Sequence, residues 1–331
     1  MYFIYSVILP MAFVNNRSAS RFLNQWIKSK KFLDEMNKIT PWDAMVVRIE
    51  AQIIKSRPEL WWRPRIETEK MLRMYFLSLW FNLSDVATEE AIYDRLSFQY
   101  FMNIDVTVDQ IPDSTTLNDF RLFLEVNNLW KTMLEEANKE LDKAGLILSE
   151  GKLIDATILR APSSTKNEAK KRDPEMGSTE KWGVWYFWAK AHIATDTNWN
   201  IQEIQVSSAS VHDSNVFEEF LDVDTKYTVT DVWYTWARLK NLAEDKGVVH
   251  TAMKKRKRNQ KRLSTADQLW NTLISMPRKI VEFPFGVIKH LWGHRKIRYR
   301  WLAKLKNQRY ALSALCNMYR MRNKYLSRRF W

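Results

Sequence analysis

Cysteine, histidine and long apolar runs are scarce in this sequence, and each scarcity excludes a class of protein. A single cysteine, Cys316, excludes an internal disulfide framework and a cysteine-based zinc site. The five histidines are scattered and show no metal-ligand spacing. No apolar run reaches the roughly 20 residues that a membrane-spanning helix needs, so the sequence predicts a protein without membrane association.

The chain opens with the uncharged apolar stretch MYFIYSVILPMAFV. This stretch lacks the basic residues that begin a secretory signal. We therefore interpret it as an over-long start, with Met11 as the expected first residue. The predicted location is the cytoplasm.

Glycine is the most unusual scarcity. There are only 7 glycines in 331 residues, whereas about 7% is the usual share. Tryptophan is in surplus, with 16 copies. The two anomalies invite a common explanation.

Positive charge is abundant. The 52 lysines and arginines outnumber the 38 acids, for a formal net charge of +14. Because the basic residues cluster late in the chain, we favour a nucleic-acid partner over a merely basic protein. The densest cluster, KKRKRNQKR at 254–262, is either a solvated loop or a loop that contacts phosphates. Its candidate DNA-binding residues are Lys254, Lys255, Arg256, Lys257 and Arg258.

The pattern of the sequence changes near Gly145. Before it, helical periodicity and capping residues predict an almost entirely α-helical region. After it, short β-branched runs at 146–159, 186–197, 226–231 and 247–253 predict strands, and 201–215 predicts a strand followed by a loop. Helices are interspersed, with a long helix from about Thr265 to His290. We read 146–159 as two short strands around a glycine turn. The pattern predicts an α/β fold with a mixed sheet flanked by helices.

Two of the predicted strands carry an aspartate, one within the strand and one at its end. Asp155 follows an apolar run and Asp231 ends another predicted strand. Alone, each is more simply an edge or loop residue, but neighbouring carboxylates would repel each other without a cation. Oxygen-only sites suit Mg²⁺ or Mn²⁺.

A third acid lies on the long helix. Arg278, Glu282 and Lys289 are spaced so that a helix places them on one face. This spacing is also typical of an exposed, salt-bridged stripe. Pro284 should disturb the helix just past Glu282.

Several long stretches carry a family resemblance. They include FNLSDVATEEAIYDRLSFQYFMNID, PDSTTLNDFRLFLE, IDATILRAPSSTKNEAKKRDPEM, YFWAKAHIATD, VHDSN and RKIVEFPFGVIKHLWGHRKIRYRWLAK. Together they span roughly residues 35 to 325. The sequence resembles bacterial insertion-sequence transposases of the DDE type, in the group named for insertion sequence five.

The resemblance implies an RNase H-like catalytic domain over 146–331, behind a helical DNA-binding region over 41–145 and an N-terminal arm over 1–40. It implies that Asp155, Asp231 and Glu282 are catalytic and hold two Mg²⁺ or Mn²⁺ ions. Arg278 and Lys289 would hold DNA phosphates. Ser275 stands where the family's motif has tyrosine.

The implied reaction is hydrolysis of a phosphodiester at the element's ends, followed by attack of the freed 3′-hydroxyl on target DNA. The implied partners are terminal inverted repeats, target DNA and at least one further copy of the chain. Two alternatives stay open: an inactive remnant that only binds DNA, and a related metal-dependent nuclease. Lys190 and His192 share a strand face, with a structural role as well supported as a role beside the metal.

Tryptophan occupies positions where this family has glycine. Trp188, Trp233 and Trp301 are the clearest cases, and Trp236 and either Trp61 or Trp62 are further ones. Random decay should not replace glycine repeatedly by one residue type. We therefore favour a reading-code explanation, in which UGA codons that encode glycine were translated as tryptophan.

Overall fold

The computed structural model describes residues 16–56, 66–146, 151–162, 165, 170–181, 183–221, 225–234, 237–256 and 260–327. In this part of the chain, seven α-helices precede the sheet. They are α1 (Asn16–Ile39), α2 (Trp42–Ser56), α3 (Thr68–Trp80), α4 (Asp85–Asp94), α5 (Leu96–Met102), α6 (Ser114–Val126) and α7 (Leu129–Lys143).

The helical half forms as its sequence predicts, and capping residues fix two of the helix starts. The Ser84 hydroxyl accepts a hydrogen bond from the Ala87 amide at the start of α4, and the Asp113 carboxylate accepts one from the Thr116 amide at the start of α6. Such caps satisfy amide donors that the first turn of a helix leaves open. The short helix α5 was not predicted.

The sheet has six strands in the described residues. They are β1 (Gly151–Arg160), β2 (Gly177–Lys181), β3 (Val184–Thr195), β4 (Ile201–Ser208), β5 (Tyr227–Thr230) and β6 (Val249–Ala252). The order is β2-β3-β1-β5-β6, with β4 also paired to β3. β3 runs antiparallel to β1, β2 and β4, whereas β5 is parallel to β1 and β6 is parallel to β5. This is a mixed sheet, as predicted.

Two details of the sheet differ from the prediction. The strand β2 was missed. The prediction of a glycine turn within 146–159 is wrong, because Gly151 begins β1 rather than a turn. The reason for glycine there is close packing: a Cβ on Gly151 would overlap the ring of Tyr227 on the neighbouring β5. The first of the two predicted strands falls mainly on 147–150, outside the described residues.

Three helices follow within or after the sheet: α8 (Ala237–Asp245), α9 (Thr265–Gly286) and α10 (Leu302–Ser327). α9 contains Pro277 and Pro284 and continues as a π-helical turn, Val287–Leu291. The predicted disturbance near Pro284 is therefore present as a local change of helix type. α10, which was not predicted, packs between the helical half and the sheet. Its Asn317 side chain accepts a hydrogen bond from the Ile201 amide and donates to Asn138 of α7.

The helical half and the sheet share one continuous apolar core. Residues of β1 and β3, among them Leu153 and Ile193, pack in the same cluster as Trp130 and Tyr75 of the helices. Leu33 of α1 belongs to that cluster too. The boundaries at 1–40, 41–145 and 146–331 remain predictions.

Candidate active site

The pairing of β1 with β5 brings Asp155 and Asp231 together. In this parallel pair, Leu153 lies opposite Val229. Each aspartate comes two residues further along its strand, so the two reach the same level on the same face. Asp155 lies within β1, and Asp231 directly follows the last residue of β5. The acids were predicted on two strands of one sheet; Asp155 lies within β1, and Asp231 lies one residue past the end of β5, the strand paired with β1.

The guanidinium group of Arg278 lies between these carboxylates. Its Nη2 atom is 3.2 Å from Asp231 Oδ2 and 3.8 Å from Asp155 Oδ1. The Arg278 side chain is only 17% exposed. The helix α9 packs across the sheet. It thereby places the positive charge of Arg278 between two aspartates that would otherwise repel each other.

The surroundings of Asp155 disfavour the charged form of its carboxyl group. Its pKa is raised to about 6, chiefly because burial disfavours the charged form, and further by the negative charges of Asp231 and Glu282. Arg278 and the Ala156 amide act in the opposite direction. The influence of Glu282 places the third predicted acid in the electrostatic neighbourhood of the first. Glu282 itself is exposed on α9.

Lys289 lies in the π-helical turn and faces β1. Its ammonium group donates hydrogen bonds to Thr157 Oγ1 at 2.6 Å and to the Ile158 carbonyl at 2.7 Å. Burial lowers the pKa of Lys289 to about 8, helped by the nearby charges of Arg309 and Arg295. The residue therefore ties the end of α9 to the strand that carries Asp155.

The start of the basic loop is anchored to α9. The Lys254 amide donates to Asn271 Oδ1 at 2.7 Å, and Asn271 donates back to the Lys254 carbonyl. Lys254, Lys255 and Arg256 are exposed, as a phosphate-contacting loop requires. Lys257 and Arg258 lie outside the described residues.

Sequence reasoning missed Tyr234, which lies three residues after Asp231 in the short 3₁₀ helix that follows β5. Its side chain is 2% exposed, and its hydroxyl has no hydrogen-bond partner among the described residues. Its amide donates to the Asp231 carbonyl at 3.1 Å. Burial raises the pKa of Tyr234, and the charges of Asp213, Asp155 and Asp231 raise it further. The sequence signal that could have indicated Tyr234 is its position only three residues after Asp231.

Lys190 and His192 lie on the opposite face of the sheet from Asp155, because His192 pairs with Ala156 whereas Asp155 pairs with Ile193. Lys190 Nζ forms an ion pair with Asp213 at 2.8 Å. His192 is fully buried and lies 2.8 Å from the Ser207 hydroxyl. Burial lowers the pKa of His192 to about 4, so the ring is neutral near pH 7, as a structural role requires.

The tryptophans at glycine positions differ among themselves. Trp301 has a backbone φ of +74°, a conformation that favours glycine. Trp199, which the sequence did not single out, has φ of +59° in the β3–β4 hairpin. Trp188 occupies an ordinary strand position opposite Gly177. The backbone at Trp233 belongs to a short 3₁₀ helix, Val232–Tyr234. Trp61, Trp62 and Trp236 lie outside the described residues.

The donor set fits a hard divalent cation. It offers only carboxylate oxygens, and burial together with the charges of Asp231 and Glu282 raises the pKa of Asp155. Within the described ranges, no three metal-ligating side chains converge closely enough to hold an ion as they stand. Arg278 occupies the space between the two aspartates instead.

The arrangement defines a class of protein. An antiparallel β1–β3–β4 unit with β5 and β6 added in parallel, acids on β1 and after β5, and a further acid on a later helix make up an RNase H-like catalytic domain. A family model described as Transposase DDE domain matches residues 148–318, and one described as Transposase domain (DUF772) matches residues 21–122.

The first match covers more than half of the 331-residue chain. The chain belongs to the DDE transposase family and is an insertion-sequence transposase. Enzymes of this family act on DNA and depend on divalent metal ions. The match favours this function over a remnant or a simple nuclease. No solved structure matches the chain. In the part of the chain that the structure describes, no helix is both long and apolar enough to cross a membrane.

Proposed function

We propose that Asp155, Asp231 and Glu282 are the catalytic acids of this transposase and hold two Mg²⁺ or Mn²⁺ ions. The observation that carries the proposal is the meeting of Asp155 and Asp231 at one level of the β1–β5 pair, with Glu282 close enough to raise the pKa of Asp155. When bound, such ions supply Lewis-acid activation of the attacking oxygen and stabilisation of the leaving oxygen in an in-line displacement at phosphorus.

Arg278 serves two states of the site. Without metal, its guanidinium neutralises the paired aspartates and keeps them together. When the aspartates turn to metal, the same fork of donors is in place for a phosphate oxygen of the DNA. Glu282, exposed one helical turn after Arg278, is free to turn towards the aspartates.

Lys289 and Tyr234 support the acids from behind. Lys289 fixes β1 just beyond Asp155 through Thr157 and Ile158, so a contact between Lys289 and a DNA phosphate requires its ammonium to leave that strand. The Tyr234 hydroxyl is a buried donor whose pKa is raised by burial and by the charges of Asp213, Asp155 and Asp231. We assign it as a positioning residue that donates to a carboxylate when the aspartates turn to metal.

DNA binding extends beyond the acids. The basic residues Lys254, Lys255, Arg256, Lys257 and Arg258 would contact phosphates beside α9, and region 41–145 would recognise the terminal inverted repeats. Because two element ends must be handled together, the active complex contains at least two copies of the chain. We place the transposase in the group named for insertion sequence five and, since its substrate is DNA, in the bacterial cytoplasm.

The decisive experiment separates binding, cleavage and strand transfer. Asp155→Asn, Asp231→Asn and Glu282→Gln should each abolish cleavage of a DNA end while DNA binding persists. Glu244→Gln, an exposed acid on α8, is the matched control and should cleave normally. A substrate with a pre-cut 3′-hydroxyl end then tests transfer into target DNA, which a simple nuclease would not perform. Cleavage that survives any one of the three substitutions would remove that residue from the triad.

A further inference from the structure

Exposed cations form a basic ridge where the loop before α10 meets the end of β1. The ridge consists of Arg160, Arg295, Lys296, Arg298 and Arg300. None of its members forms an ion pair within the described ranges. No aspartate or glutamate follows Glu282 in the sequence, so the loop that carries four of these cations has no acidic neighbour further along the chain.

This lack of acids sets the ridge apart from other exposed cations of the protein. Lys30 pairs with Asp34 on α1, and Lys240 pairs with Glu244 on α8. Such pairs, one helical turn apart, are typical of a solvated helix surface. The basic ridge keeps its positive charge instead, and that charge is available to a partner.

The acids that contact the chain just after the ridge are bonded to backbone amides. An Asp173 carboxylate oxygen accepts from the Trp301 amide at 2.6 Å, and Glu175 accepts from the Leu302 amide at 2.6 Å. These amides belong to the start of α10, where a helix needs acceptors. Both acids therefore serve the helix start, and neither forms an ion pair with the ridge.

The backbone forces two cations of the ridge to lie side by side. Arg160 at the end of β1 pairs in register with Lys296, and the Ile297 amide donates to the Arg160 carbonyl at 2.8 Å. Neighbouring strands are about 4.8 Å apart, so the two side chains start close together. Neither side chain has a hydrogen bond in the part of the chain that the structure describes. Their repulsion is relieved only when an anion lies across both.

The loop of the ridge is fixed to both halves of the protein. Arg298 Nη2 donates to the Asn82 carbonyl in the helical half at 2.8 Å. Arg295 Nε donates to the Lys289 carbonyl at 3.3 Å, and the Lys289 side chain is bonded to β1 just beyond Asp155. The carbonyl acceptors are uncharged, so both guanidinium groups keep their charge. The ridge thus connects the helical half with the neighbourhood of the candidate active site.

We propose that the basic ridge binds backbone phosphates of the substrate DNA, in the stretch between the cleaved end and the repeat sequence held by the helical half. The proposal rests on the proposed function for the identity of its ligand. A row of cations on a fixed loop suits a polyanion with regularly spaced charges, whereas a single small anion would reach only part of the row. Phosphate contacts fix the position of the duplex and carry no sequence information.

The salt dependence of DNA binding, measured without divalent metal, tests the ridge separately from cleavage. Each phosphate contact contributes about 0.9 to the steepness of log K against log salt concentration. Arg160→Gln/Lys296→Gln should therefore reduce that steepness by about 2. Because phosphates are the same in every sequence, the loss should be equal for a terminal-repeat duplex and for an unrelated duplex.

Lys240→Gln/Lys246→Gln is the matched control for this measurement. It removes the same charge from two exposed lysines on and just after α8 and should keep the wild-type steepness. An equal reduction in both double variants would indicate an effect of net charge alone and would overturn the proposal. A wild-type salt dependence in Arg160→Gln/Lys296→Gln would also overturn it.

A chemical cross-link tests the location and does not require the double variant to fold. Cys316 is the only cysteine of the chain and is buried, so Lys296→Cys adds a unique exposed thiol. The test duplex carries a terminal repeat with thiol-reactive groups on single phosphates. Cross-linking should occur within one helical turn of the cleaved bond, about 10 base pairs. Lys240→Cys should not cross-link there. Binding of this duplex by Lys296→Cys without a cross-link would contradict the proposal.

The basic ridge and the catalytic acids can fail separately. Cleavage by Asp155→Asn would remove that residue from the triad and leave the binding result for the ridge unaffected. Unchanged binding by Arg160→Gln/Lys296→Gln would exclude the ridge and leave the triad unaffected. A wild-type protein that binds no duplex at all would overturn both.

Discussion

Arg278 and Asp231 form the shorter arm of a bridge across the candidate active site, with Arg278 Nη2 at 3.2 Å from Asp231 Oδ2. The longer arm, at 3.8 Å, reaches Asp155. A single guanidinium thus lies where the proposed divalent cation would bind. Arg278 would have to move away from Asp155 and Asp231 for these carboxylates to hold metal, and this competition determines what the first prediction should show.

Asp155→Asn should stabilise the metal-free protein at pH 7 while abolishing cleavage. The folded-state pKa of Asp155, about 6, exceeds the ordinary value of 3.8, so the folded protein binds this proton more tightly than the unfolded chain does. The wild type therefore loses stability as pH rises from about 4 to 6. The amide should recover about 1–3 kcal/mol of unfolding free energy at pH 7, measurable by denaturant titration.

The matched control for that measurement is Asp267→Asn, an acid at the start of α9 away from the aspartate pair. It should not stabilise the protein, since it also removes a favourable charge from a helix N-terminus. Adding Mg²⁺ should stabilise the wild type and leave Asp155→Asn unchanged. A stability of Asp155→Asn below that of the wild type at pH 7 would contradict the prediction.

Tyr234→Phe should weaken the response to metal without harming the fold. The variant removes a buried hydroxyl that has no partner in the described residues, so its unfolding free energy should equal or exceed that of the wild type. Loss of a supporting hydrogen bond should raise the Mg²⁺ concentration needed for half-maximal cleavage about tenfold. Tyr310→Phe, on α10, is the control. An unchanged Mg²⁺ curve for Tyr234→Phe would exclude the positioning role.

Lys289→Met should flatten the dependence of stability on pH above neutrality. The folded-state pKa of Lys289 is lowered to about 8 from 10.5, so burial of its charge destabilises the protein fully below pH 8. That cost is relieved as pH rises from 8 towards 10.5. The wild type should gain stability over this window relative to Lys289→Met, as chemical unfolding at several pH values would reveal. Parallel curves for the two proteins would mean that Lys289 does not titrate there.

Trp301→Gly should stabilise the protein. A non-glycine residue at φ of +74° is strained by about 1–3 kcal/mol, and the side chain is 44% exposed, so little packing is lost. Thermal unfolding checks the direction. Trp42→Gly is the opposite control and should destabilise the protein. The Trp42 ring packs on Phe76 with 5.4 Å between the ring centroids, and that packing would be lost. Reading the codons is the companion measurement: UGG at Trp301 and Trp199 would defeat the reading-code hypothesis.

The chain's pattern was enough to predict the sheet region and the neighbouring aspartates. β5 is a short β-branched run that ends on an acid, and Asp155 lies within another such run, so period and residue type sufficed. The long helix that carries Glu282 could also be predicted from the sequence, because its apolar residues are regularly spaced. Family resemblance then assigned these positions their roles.

What escaped prediction depends on contacts between distant segments. Gly151 resembles a turn glycine in the sequence, but only the ring of Tyr227 on another strand explains it. Lys289 fits a helix face by spacing, yet the π-helical turn and β1 decide where its ammonium lies.

The parallel pairing of β1 with β5 also governs how the enzyme comes into being. The chain between these strands must first lay down β2, β3 and β4, so the two aspartates meet only after a long loop has closed. Pairing at such separation is slow compared with local helix contacts. Local helix contacts can therefore form early during synthesis, whereas the β1–β5 pair that brings the two aspartates together cannot form until β5 has been made. Because Glu282 lies on α9, a chain that stops before this helix lacks the third proposed acid, and we expect it not to cleave DNA.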